Sequence, residues 1–159
     1  MHYGKIKYND IANGEGIRTS LFVSGCRVGC KGCFNRETWN FNYGQVLTDE
    51  VVEQMIESLR PGYISGMTVL GGEPMEPENQ EALLAIFKEV KHRFSNKTIW
   101  LYTGYLLDQD LIKGGRKYTA YTDELLSMVD VVVDGPFMSE LSEIGLQFRG
   151  SSNQRIIHM

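Results

Sequence analysis

A chain of 159 residues with 42% hydrophobic and 23% charged residues has the length and composition of one globular domain with a substantial core. Its formal net charge of -4 excludes a strongly basic face of the kind that binds nucleic acid or anionic lipid. No apolar run approaches the roughly 20 residues of a membrane span, and Met1 to Lys7 carry no apolar signal-peptide core, so a cytoplasmic protein is expected.

Apolar runs rich in β-branched and aromatic residues alternate with helical periodicity along the chain. That alternation predicts an α/β fold with parallel strands, in a single domain over residues 1–159. The first predicted strand, Thr19–Val23, runs straight into Ser24-Gly25-Cys26. A helix is predicted from Thr48 to about Leu59, because Val52, Met55, Ile56 and Leu59 share a face, Thr48 can cap it and Pro61-Gly62 stops it. The second strand, Met67–Leu70, empties into Gly71-Gly72-Glu73-Pro74. Pro77 then opens a long helix with Leu83, Phe87, Val90 and Phe94 on one face, and Lys91, His92 and Arg93 suit the negative end of its dipole. The third strand, Thr98–Tyr102, leads to Thr103-Gly104-Tyr105. A loop around Lys113–Lys117 precedes a short helix near Asp123–Val129. The fourth strand, Asp130–Asp134, ends in Gly135-Pro136-Phe137, and an extended run, Gln154–His158, comes last.

The chemistry concentrates in one short loop. All three cysteines, Cys26, Cys30 and Cys33, lie in a C-x3-C-x2-C pattern. Three thiolates hold three corners of a four-cornered metal site and leave one open, whereas a closed structural site uses four protein ligands. An odd count also argues against a disulfide framework. Soft thiolates suit iron–sulfur clusters, zinc or Cu(I), and Gly25, Gly29 and Gly32 give the loop freedom to wrap a cluster. The alternative is zinc with a histidine as fourth ligand, but His2, His92 and His158 are all distant in sequence.

Each of four loops follows a predicted parallel strand: the cysteine loop, Gly71–Pro74, Thr103–Tyr105 and Asp134–Phe137. Parallel α/β folds place their active sites at the carboxyl ends of the strands, so the four loops should converge. A full eight-unit barrel needs about 250 residues. This chain is therefore expected to form a partial, open (β/α) barrel whose open side admits a large substrate. Gly71-Gly72-Glu73-Pro74 alone reads as a tight turn. After a strand it becomes a candidate ligand loop, with an exposed carboxylate or carbonyl that could receive an ammonium group. Trp100 is expected in the core, and Lys113, Arg116 and Lys117 form a solvated basic patch.

A C-x3-C-x2-C loop after the first predicted strand of an α/β chain resembles the radical S-adenosylmethionine enzymes. The resemblance implies that Cys26, Cys30 and Cys33 hold a 4Fe-4S cluster whose open iron takes the amino and carboxylate groups of S-adenosyl-L-methionine. Reduction would then release methionine and a 5′-deoxyadenosyl radical that abstracts hydrogen. Gly71, Gly72, Glu73 and Pro74 are similar to the family's loop for the methionine amino group. Many members carry an aromatic residue just before the third cysteine. This chain has Gly32 there and Phe34 just after, so adenine is expected against Gly32, Cys33 and Phe34. No catalytic residue beyond the cluster ligands is implied.

Asn13–Arg18 and Phe34–Trp39 resemble the activating enzymes of glycyl-radical proteins. Gly32 with Phe34, Thr103–Tyr105, Asp134-Gly135 and Phe148–Gln154 resemble the branch that acts on anaerobic (class III) ribonucleotide reductase, with the pyruvate formate-lyase branch as the alternative. The implied partners are the large subunit of that reductase, as protein substrate, and a reduced flavodoxin-like electron donor. A small zinc-binding interaction module is the reading from a different class.

Overall fold

The computed structural model describes residues 1–159. Two strands come first, β1 (His2–Asp10) and β2 (Ile17–Val23), followed by a 3-10 turn at Arg36–Trp39, with a second such turn later at Ser139–Leu141. Then come β3 (Gln45–Val46), α1 (Asp49–Glu57), β4 (Ile64–Gly71) and α2 (Pro77–Arg93). The chain continues through β5 (Thr98–Thr103), α3 (Thr122–Ser127), β6 (Val131–Asp134) and β7 (Arg155–His158). No helix is long and apolar enough to cross a membrane.

One open seven-stranded sheet holds the strands in the order β3-β1-β2-β4-β5-β6-β7. Its centre is the parallel run β2, β4, β5, β6 in chain order, so the carboxyl ends of all four point the same way. Antiparallel strands flank that centre: β1 and β3 on one side, β7 on the other. The sequence offered no strand over His2–Asp10, because Gly4, Lys5, Lys7 and Asn9 break the apolar pattern. Partnership with β2 forms that strand, and only Tyr3 and Asp10 within it are buried.

The helices begin and end where local chemistry tells them to. Thr48 caps α1 by accepting a hydrogen bond from the Val51 amide. Pro77 starts α2, whose last turn carries Lys91, His92 and Arg93. Arg93 reaches Glu53 and Glu57 and so ties α2 to α1. Leu21, Met67, Val69, Ile99, Leu101 and Val132 face the helices and pack with Met55, Leu83, Phe87 and Val90. On the other face Trp100, Val131 and Val133 form a second, smaller cluster with Tyr102, Phe148 and Ile156. Trp100 is core, as its apolar strand predicted.

Candidate metal centre

The loops after β2, β4, β5 and β6 line one cavity of about 410 Å³. Cys26, Cys30 and Cys33 reach it from the first loop, Gly71, Gly72 and Glu73 from the second, Thr103 and Gly104 from the third, and Gly135 and Phe137 from the fourth. Asn13, Thr38, Trp39, Phe148 and Gln154, all in stretches singled out by resemblance, complete the wall with Tyr102 and Arg149. Two of the predicted residues do not line it. Gly32 sits beside the cavity, with Ser139 and Phe137 around its Cα. Pro74 is buried and carries the chain on toward α2. Phe34 stands at the mouth, 83% exposed, with its ring 5.5 Å from that of Phe137.

Glycine allows the first two loops to touch. The Gly72 amide donates to the Val23 carbonyl and the Glu73 amide to the Gly25 carbonyl, both at 2.7 Å. A Cβ on Gly72 would stand 2.7 Å from the Gly25 oxygen and 3.0 Å from those of Val23 and Thr38, all backbone atoms that cannot swing aside. Asn79, in the first turn of α2, ties the same two segments by donating to the carbonyls of Ser24 and Glu73.

Backbone amides already face the sulfurs. Those of Val28 and Gly29 are directed at the Cys26 thiol, and that of Phe137 at Cys30. The Asn35 amide donates to the Cys33 sulfur at 3.4 Å. Burial pushes the Cys26 thiol up to about 11, against the two amides, and raises Cys30 as well. In the metal-free chain these two sulfurs therefore hold protons that metal loading must displace.

Glu73 is not the exposed carboxylate the sequence suggested. It is 1% exposed, and it accepts from the Met75 amide (2.9 Å), the Thr103 hydroxyl (2.6 Å) and the Gly104 amide (2.7 Å). Burial nevertheless pushes it up to about 7. Its side chain binds the second loop to the third, and three of its about four acceptor positions are taken, two on Oε1 and one on Oε2. The Gly72 carbonyl, by contrast, accepts no intramolecular hydrogen bond. The loop thus offers an ammonium group a free backbone carbonyl beside a largely occupied carboxylate.

A second buried glutamate escaped sequence reasoning altogether. Glu76 lies three residues beyond Glu73 and accepts from the Arg27 amide (2.8 Å), Arg27 Nη1 (3.0 Å), Lys117 Nζ (2.9 Å) and Tyr105 Oη (2.7 Å). Burial opposes its ionisation, but the bonds from Tyr105, Lys117 and Arg27 outweigh it and hold the carboxylate below its ordinary range. The basic patch at 113–117 is therefore only partly solvated. Lys117 and Arg116 both lie 5.0 Å from the centre of the Tyr105 ring, and Arg116 pairs with Asp110 at 2.6 Å.

The stretch before β7 is a clasp. Gln154 accepts from the Gly150 and Ser151 amides and donates to the Gly135 carbonyl, while Asn153 donates to that of Pro136. Ser151 accepts from the Met138 amide. Together they fix the loop that aims the Phe137 amide at Cys30. Tyr102 Oη and Arg149 Nε are buried without a protein partner. Both belong to residues that line the cavity.

This donor set fits an iron–sulfur cluster with one open corner. The cavity wall carries three thiols, no histidine and one carboxylate, that of Glu73, which is already committed to three donors of the second and third loops. A closed zinc site thus lacks its fourth ligand. No three His, Cys, Asp or Glu side chains converge to the spacing a single ion needs, whereas in a cluster each thiolate meets its own iron.

Comparison with known proteins agrees with that chemistry. Residues 12–157 match the family of 4Fe-4S single cluster domains. The chain is 41% identical over 160 residues to the anaerobic ribonucleoside-triphosphate reductase-activating protein of Haemophilus influenzae, covering 99% of this chain and 97% of that protein. It is 41% identical over 156 residues to the protein of that name from Enterobacteria phage T4, covering 98% and 93% of the two. The Escherichia coli K12 counterpart is 36% identical over 161 residues, covering 100% and 99%. The chain belongs to the family of anaerobic ribonucleoside-triphosphate reductase-activating proteins.

Proposed function

We propose that this protein activates an anaerobic ribonucleotide reductase by generating a glycyl radical on the reductase large subunit. Cys26, Cys30 and Cys33 would hold a 4Fe-4S cluster, with S-adenosyl-L-methionine on its open iron. The observation that carries this reading is the shared cavity: three thiols with backbone amides aimed at them stand beside a glycine turn with an unused carbonyl, and no fourth protein ligand is present. Once bound and reduced, the cluster supplies the electron that splits S-adenosyl-L-methionine into methionine and a 5′-deoxyadenosyl radical, which takes a hydrogen atom from a glycine Cα.

The chain's own residues do the positioning. Gly71 and Gly72 would present backbone to the methionine ammonium, and the backbone from Cys33 to Phe34 would take adenine. Val28, Leu70, Val133 and Phe148 make much of the wall apolar, and an apolar wall keeps water from so reactive a species. Hydrogen-atom transfer needs contact distance more than acid–base catalysis, which accords with a site that carries no acid–base pair. We read the parallel run of β2, β4, β5 and β6 as part of a partial, open (β/α) barrel of the radical S-adenosylmethionine type, whose open side would face the reductase. A reduced flavodoxin-like protein would deliver the electron, and the setting would be the cytoplasm.

Anaerobic reconstitution should load about four iron and four sulfide per chain, the content of one cluster. Changing any one of the three cysteines to alanine should abolish reductive cleavage of S-adenosyl-L-methionine. Stoichiometric zinc in place of iron would instead mark a zinc module. Incubation with candidate partners under reducing, oxygen-free conditions, followed by electron paramagnetic resonance, should place a glycyl signal on the reductase. A signal on pyruvate formate-lyase alone would assign the other branch.

A further inference from the structure

We propose that Glu76 is a positioning residue for the metal centre. It holds the peptide after Cys26 in place, and its charge keeps the reduction potential of the bound cluster low. The assignment rests on the reading of Cys26 as a cluster ligand.

Four donors converge on this one side chain, which has no solvent exposure. Oε1 accepts from the Arg27 amide and the Tyr105 hydroxyl, Oε2 from Arg27 Nη1 and Lys117 Nζ. Two carboxylate oxygens offer about four acceptor positions, so none is left over. The Arg27 amide directly follows Cys26 in the chain. Because it is turned onto Glu76, the amides that face the Cys26 sulfur are those of Val28 and Gly29. Arg27 is then pinned from two further sides, by Glu78 at 3.0 Å and by the Phe41 ring 4.3 Å away. The orientation of the first peptide in the cysteine loop is thus set from the start of α2, 49 residues downstream.

Capping a helix does not require a fully buried carboxylate, since a short neutral side chain suffices. Next to a cluster, however, the charge matters. Reduction adds an electron to a centre already rich in thiolate, so a neighbouring anion opposes it. An amide given to a sulfur favours reduction, and Glu76 withholds one such amide. Arg27 and Lys117 offset part of the negative charge, yet both lose their shared partner if Glu76 goes, which moves the potential in the same direction.

The test uses reconstituted wild-type protein, Glu76→Gln and Glu76→Ala. Redox titration followed by electron paramagnetic resonance should place Glu76→Gln above wild type by a tenfold change in reduction equilibrium, about 59 mV for one electron. Glu76→Ala should lie at least as high and release iron to a chelator several-fold faster. In metal-free Glu76→Ala the Arg27 amide should exchange hydrogen at least tenfold faster, with the Val69 and Leu101 amides of the sheet unchanged. Glutamine keeps the size of the side chain and so covers an alanine variant that folds poorly. Potentials and Arg27 exchange equal to wild type would overturn the role of Glu76 alone. Wild-type protein that takes up no iron would overturn the cluster reading, and this assignment with it.

Discussion

Glu73 and Glu76 leave the same turn three residues apart, and both are buried, yet their surroundings push them in opposite directions. Glu76 meets two cations and a phenol, which stabilise its charge, whereas the partners of Glu73 are neutral. A carboxyl raised from 4.5 to about 7 makes the metal-free fold sensitive to pH in a defined sense. Below the ordinary value Glu73 is protonated in both folded and unfolded chains and contributes no penalty. Between the ordinary value and about 7 the unfolded chain is ionised while the folded chain keeps its proton, so stability falls over that interval and levels off above it. A glutamine at this position cannot ionise. Its mismatch with the Gly104 amide adds an offset that does not vary with pH. Denaturant midpoints of the metal-free protein should therefore show wild type losing up to about 3 kcal/mol relative to Glu73→Gln between pH 5 and pH 8. A difference between the two that stays constant over that range would mean Glu73 remains ionised throughout.

At the scale of elements, the junction of β2 with β4 decides whether the cysteine loop sits where it must. The two strands pair in register up to Val23 and Gly71, and the chains beyond them stay in contact through Gly72. Gly72→Ala would drive a methyl group into three carbonyl oxygens. The expected loss is about 1–3 kcal/mol, as for other overpacked sites, together with reduced iron loading of the folded fraction. Thr48→Ala serves as control: it should remove about 1 kcal/mol by uncapping α1 and leave iron per folded chain unchanged. Equal loading by the two variants would separate the junction from the site. The four central strands were legible in the sequence because β-branched runs and the turns that follow them are local signals. The strand β1 was not, because Lys5 and Lys7 become strand residues only through their pairing with β2. The ligand loops were legible from cysteine and glycine spacing. The Arg27–Glu76 bond was not, since neither residue looks unusual until folding joins positions 49 apart. Likewise Glu73 read as exposed because the donors on Thr103 and Gly104 lie 30 and 31 residues away.

Across the whole molecule, function and stability occupy opposite ends of the same sheet. The cysteine loop and its neighbours leave the carboxyl ends of the parallel strands, while Arg18 enters near the amino end of β2 and is 1% exposed. Its guanidinium has no carboxylate partner. Nε donates to Thr68 Oγ1, Nη1 to the Glu15 carbonyl and Thr98 Oγ1, and Nη2 to the carbonyls of Met67 and Thr98. All five N–H groups are used, and they join β2, β4, β5 and the loop before β2 under the Trp100 ring. Burial lowers this arginine to about 10, which still leaves it charged at neutral pH. Lysine would keep the charge but has three donors and no planar fork, so at least two acceptors would be left unpaired. Arg18→Lys should therefore lose about 2–3 kcal/mol in urea denaturation of the metal-free protein, at roughly 1 kcal/mol or more per orphaned acceptor. The folded fraction of that variant should still load iron as wild type does, because no bond of Arg18 reaches the cysteine loop. A change within about 0.5 kcal/mol, the range of ordinary surface substitutions, would show that the backbone ladders alone hold the strands together. Loss of iron at unchanged stability would show that the amino end of the sheet shapes the metal centre after all.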